Sequence, residues 1–110
     1  VSTMTAGLRY TAIQSGEIHV MDAYATDGKL RAFGLVILED DKRFFPPYNG
    51  GMIIRQDTVA KNPGLMEAVN LLAGTLSDEA MRELNYRVEV LGESVQEVAR
   101  DFLRSQGIVQ

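Results

Sequence analysis

The chain has 110 residues, 45% hydrophobic and 24% charged, the size and balance of one small globular unit or a piece of one. Eleven basic and 15 acidic residues leave a net charge of −4 with no block of either sign, so the footprint of a nucleic-acid or anionic-lipid partner is missing. Zero cysteines exclude disulfides and thiolate metal sites, and no apolar run approaches the roughly 18 residues that a membrane span needs.

The chain opens on Val1-Ser2-Thr3-Met4 with neither a basic nor an apolar leader region. Any targeting signal is therefore expected outside the residues given, and the chain reads as a fragment. Residues 4–14 read as a short helix with Leu8, Ala12 and Ile13 towards one side, stopped by Ser15-Gly16. From Glu17 to Tyr24 the pattern alternates, with Ile18, Val20 and Tyr24 on one face and His19, Met21 and Ala23 on the other, as in a strand. A polar Thr26-Asp27-Gly28 turn leads into a brief helical stretch to about Phe33. Leu35 to Leu38 is then a continuous apolar run of the kind found in strands covered on both faces.

After Glu39-Asp40-Asp41, the adjacent prolines of Phe44-Phe45-Pro46-Pro47-Tyr48 rule out helix and central strand, leaving a stiff loop that displays aromatics. Gly51 to Arg55 gives a third short strand. The rest is helical. Asn62 is expected as an N-cap with Pro63 at the first helical position, followed by Leu65, Ala68, Val69 and Leu72 at helical spacing and by Gly74 as the stop. A second helix starts near Ser77 and carries Met81, Leu84, Val88 and Leu91 on one face before Gly92. A third opens on the Ser94-x-x-Glu97 capping box, turns Val95, Val98, Ala99 and Phe102 inward and ends at Gly107.

Few residues carry chemistry. His19 is the single histidine and has no second ligand at metal spacing, so it reads as a strand residue. Glu39-Asp40-Asp41 lacks the alternating oxygen ligands and the glycine of a calcium loop and reads as a solvated strand end. The serines sit in turns and caps, with no nucleophile elbow. Tyr10 and Tyr86, on helices, read as packing residues. Tyr24 and Tyr48 stand where strands give way to loops, the place where open α/β sheets hold ligands. They are either ligand contacts or amphipathic rings packed with the hydroxyl in water.

Three motifs, Asp22-Ala23-Tyr24-Ala25-Thr26-Asp27-Gly28, Leu38-Glu39-Asp40-Asp41-Lys42 and Phe44-Phe45-Pro46-Pro47-Tyr48, followed by Glu83-Leu84-Asn85-Tyr86 and Glu97 to Leu103, resemble the substrate-binding components of glycine betaine/carnitine/choline ABC importers. The resemblance covers nearly the whole chain in order. It implies an α/β fold, the C-terminal part of a two-lobed type II periplasmic binding protein, here with three short strands and about five helices. Residues 1–24 would end the distal lobe, 25–28 would form the interlobe crossover, and 29–110 would belong to the proximal lobe. In that family tyrosines cage a quaternary ammonium group. The match carries Tyr24 and Tyr48 over as cage members, with Thr26 as a polar contact.

The resemblance further implies an extracytoplasmic location, a permease partner, separate or fused, and no cofactor. The leading reading is thus a binding module that captures a compatible solute. The competing one is a small structural or partner-binding domain, which would have no use for tyrosines on loop edges. An enzyme is third, because no nucleophile, base or metal cluster is present. Unpaired apolar strands also lead to the expectation that the fragment forms a homodimer through residues between Glu17 and Tyr24.

Overall fold

The computed structural model describes residues 3–110, so the first two positions of the segment 1–24 lie outside it. Its helices are α1 Ala6–Ser15, α2 Gly28–Ala32, α3 Gln56–Lys61, α4 Leu65–Asn70, α5 Asp78–Glu89 and α6 Val95–Ser105. The described residues up to Ile37 form one compact unit with Ser77–Gln110, and Leu38–Leu76 form a second.

In the first unit α5 is the central element. Ser77 caps it by accepting the Ala80 N–H at 3.1 Å, with Asp78 and Glu79 in its first turn where the helix dipole favours negative charge. Helix α2 lies directly on it: a Cβ built on Gly28 would come within 2.5 Å of the Tyr86 backbone nitrogen, so only glycine permits this approach. Leu30 is buried at the same contact. Arg31 pairs with Glu83 and lays its guanidinium 4.5 Å from the Tyr86 ring centroid.

Helix α6 is joined to α5 by Arg87, which donates to both Glu93 and Asp101. That double contact raises the guanidinium pKa, and the Arg87 hydrogen bond lowers that of Glu93. Ser94 caps α6 by accepting the Glu97 N–H at 3.2 Å, as the capping box predicts. Val98 is buried and Phe102 half-buried, whereas Val95 and Ala99, expected inside, face solvent. Leu91 is exposed beyond the end of α5.

In the second unit the helix boundaries differ from the expectation. Asn62 is not an N-cap: it closes α3, its side-chain amide donating to the Thr58 carbonyl at 2.8 Å. Helix α4 starts at Leu65, after Gly64 at φ 89°, a left-handed conformation suited to glycine. Helix α3, Gln56–Lys61, carries no apolar period in its six residues. Local charge supports it instead, with Asp57 paired to Arg55 at 3.1 Å and to Lys61 at 3.8 Å.

The three segments expected as strands, Glu17–Tyr24, Leu35–Leu38 and Gly51–Arg55, form no ladder, and there is no strand among the described residues. Leu35 is half-buried, but Val36 and Leu38, expected to be covered, are 86% and 77% exposed. The physical reason is that a strand exists only against a partner. Alternating or apolar residues make a segment able to pair, but the ladder needs a neighbouring backbone about 4.8 Å away.

Candidate ligand-binding site

Tyr24 and Thr26 lie in the first unit, on the segment that leads from Asp22 into α2. This segment has little regular structure of its own and is held by side chains from two helices. From α5, the Arg82 guanidinium donates to the Ala25 carbonyl at 2.7 Å and the Asn85 amide donates to the Thr26 carbonyl at 2.8 Å. From α1, Arg9 donates to the Asp22 carbonyl at 3.0 Å and also pairs with its carboxylate. That hydrogen bond lowers the Asp22 pKa and raises that of Arg9.

The Tyr10 hydroxyl, also from α1, donates to Asp27 Oδ2 at 2.5 Å, while Asp27 Oδ1 accepts the Lys29 N–H at 3.1 Å and so caps α2. Tyr10 is 6% exposed and stacks on Phe33 with ring centroids 5.6 Å apart. Burial first, and then the bond to Asp27, pushes its pKa above the ordinary phenol value.

These contacts surround a hollow of about 330 Å³, lined by Tyr24, Thr26, Asp27, Tyr10, Lys29 and Asn85 among others. Tyr24 itself is 74% exposed, so its ring presents a free face at the edge of this hollow. The structure thus brings two of the three sequence-predicted site residues, Tyr24 and Thr26, to one place.

Tyr48 belongs to the second unit. It is 81% exposed at the end of the proline loop, whose base is tied to Asp40. The Phe44 and Phe45 amides donate to the two Asp40 carboxylate oxygens at 2.9 and 2.8 Å, and the Arg43 amide donates to the Asp40 carbonyl at 3.0 Å. The Phe45 and Phe44 amides hold the Asp40 carboxyl below its ordinary pKa. The acidic run read as a solvated strand end therefore contains the residue that organises the aromatic loop.

The arrangement is suited to binding. Among the described residues no group of three His, Asp or Glu side chains converges, and His19 is exposed. Tyr10 and Tyr86 pack, as expected. Sequence reasoning missed the supports of the Tyr24 segment. An aspartate directly before a helix is a readable N-cap signal, but the partners Arg82 and Asn85 lie 57 residues from Ala25 and 59 from Thr26, beyond any local pattern.

Comparison with known proteins identifies the family. Residues 1–105 match the family described as the substrate binding domain of ABC-type glycine betaine transport system, and the chain belongs to that family. It is 39% identical over 105 residues to the ergothioneine transport permease/ergothioneine binding protein EgtU of Helicobacter pylori (strain G27), covering 96% of this chain and 19% of that one. It is 37% identical over 101 residues to the carnitine transport binding protein OpuCC of Listeria monocytogenes, covering 92% of this chain and 33% of that one. A glycine-betaine-binding protein of Pseudomonas aeruginosa is 35% identical over 109 residues, covering 99% and 35%.

A crystal structure of a glycine betaine/carnitine/choline ABC transporter superposes with a TM-score of 0.87 at 34% identity, over 98% of this chain and 39% of that one. The chain therefore has the fold of a part of a periplasmic binding protein and spans about one fifth to two fifths of the proteins it matches.

Proposed function

We propose that this chain is part of an extracytoplasmic solute-binding module that captures a quaternary-ammonium compatible solute with a tyrosine cage and delivers it to an ABC permease, separate or fused. Tyr24 and Tyr48 are the cage rings in this reading, and Thr26 is the polar contact. In the same reading residues 1–24 end the distal lobe, 25–28 cross between lobes and 29–110 belong to the proximal lobe. The three extended segments would then find their sheet partners elsewhere in the complete protein.

The observation that carries the reading is the exposed Tyr24 ring on a segment held by five side-chain hydrogen bonds from α1 and α5. A trimethylammonium group has no N–H to donate, so it is recognised by ring faces, each contributing roughly 0.5–2 kcal/mol according to desolvation. Such recognition needs rings that are fixed and unobstructed. Glycine betaine, carnitine, choline and ergothioneine all carry this group, which makes it the common feature of the ligands named for the relatives.

Titration calorimetry on the complete protein tests the proposal. Tyr24→Ala and Tyr48→Ala should each weaken glycine betaine or choline binding by about tenfold or more, since ~1.4 kcal/mol is tenfold, and Tyr→Phe should cost less because the ring face survives. Unchanged affinity in both alanine variants would end the cage assignment.

A further inference from the structure

The Tyr24 side chain makes no hydrogen bond among the described residues, and its ring is mostly exposed. Its position is therefore inherited from its backbone, whose anchors on either side come from adjacent residues of α1. Arg9 holds Asp22, two residues before Tyr24, by main-chain carbonyl and carboxylate. Tyr10 holds Asp27, three residues after it, and the Asp27 amide donates back to the Tyr24 carbonyl at 3.0 Å. We infer that Arg9 and Tyr10 are positioning residues for Tyr24, a bracket from α1 that fixes where the ring face is presented to the solute. The inference rests on the reading of Tyr24 as a cage ring.

Two features make this more than ordinary packing. Asp27 is shared: one oxygen takes the Tyr10 hydroxyl and the other caps α2, so the turn after Tyr24 is locked to α1 and to α2 by a single carboxylate. Tyr10 is also nearly fully buried, with Phe33 stacked on its ring and the Lys29 ammonium 5.5 Å from its centroid. The hydroxyl therefore has a fixed origin, and a short bond from it transmits that fixity to Asp27. Cation–π attraction is confined to distances of about 6 Å from the ring centroid, so a ring whose backbone gains freedom loses contact readily. The two α5 bonds to Ala25 and Thr26 hold only the side of the segment that follows Tyr24. Arg9 supplies the hold before it.

A double-mutant cycle on the complete protein, with choline as the probe because its charge does not titrate, decides the matter. Tyr10→Phe keeps the buried ring and its stack but removes the hydroxyl, and Arg9→Met keeps the aliphatic stem but removes the donors. Each should weaken choline binding by roughly three- to tenfold, and neither should weaken it further in a Tyr24→Ala background. Arg9→Lys, which can still donate to Asp22, should recover part of the loss, and thermal melts report whether the fold is kept.

If Tyr24→Ala weakens binding while Tyr10→Phe and Arg9→Met leave it unchanged, the bracket is wrong and the cage stands. Equal losses with and without the Tyr24 ring would also overturn the bracket, because the residues would then act by another route. If Tyr24→Ala itself has no effect, Tyr24 is not a cage ring and the bracket fails with it.

Discussion

Asp40 shows how one side chain sets a loop that cannot set itself. Pro46 and Pro47 have no N–H to give, and in the stretch before them the bonds at the loop base converge on Asp40: two amides on its carboxylate and one on its carbonyl. Phe44 and Phe45 are held there edge to face, centroids 5.1 Å apart. The two amides stabilise the charged carboxylate, so its folded pKa is depressed. The sign follows: the contribution is present above the unfolded value of about 3.9 and is lost as pH falls through the lower folded value. In an NMR titration the Phe44 and Phe45 amide resonances should move together with a midpoint below that of an ordinary aspartate, and Asp40→Asn should remove the transition. Amides that titrate at the ordinary value, or independently of each other, would contradict the assignment.

The contact between α2 and α5 depends on a residue that has no side chain. At Gly28 an added Cβ would lie 2.5 Å from the Tyr86 nitrogen and 2.6 Å from the Asn85 carbonyl carbon, both backbone atoms that cannot rotate away. Gly28→Ala must push α2 off α5, which disturbs the buried Leu30 and the Arg31 contacts to Glu83 and Tyr86. Overpacking of this kind costs about 1–3 kcal/mol, so the melting temperature should fall by several degrees, whereas Gly7→Ala, with open space around it, should not lower it comparably. Equal melting temperatures for Gly28→Ala and the parent would show that the helices are not in register as described. Among the helices, those with caps were legible in advance: Ser77, Ser94 and Gly16 mark boundaries by local chemistry. Helix α3 and the start of α4 were not, because their bounds follow from a side-chain closure by Asn62 and a left-handed Gly64 rather than from apolar periodicity.

For a chain that is 45% hydrophobic, the buried apolar side chains among the described residues are few: Tyr10, Ala12, Leu30 and Val98, all in the first unit. Meanwhile Val20, Val36, Leu38 and Ile53 are exposed on segments with strand-forming sequence. Apolar area left in water forfeits the main stabilising contribution to a fold, and unpaired extended backbone invites another chain. The 110-residue chain on its own is therefore expected to form a symmetric dimer whose interface includes residues between Glu17 and Tyr24. Light scattering coupled to size-exclusion chromatography at micromolar concentration checks this, and a stable monomer would refute it.

Local rules were enough to place five of the helical stretches and to single out the Tyr24 and Tyr48 motifs on which the resemblance to the family rests. Those readings depend on composition, spacing and caps, which are properties of neighbours along the chain. The absence of a ladder at Glu17–Tyr24, Leu35–Leu38 and Gly51–Arg55, the grip of Arg82 and Asn85 on the Tyr24 segment, and the pairing of Tyr10 with Asp27 came only from folding. Each depends on which backbone or side chain lies opposite in space, and a pattern along the chain specifies what a segment can pair with but not whether the partner is there.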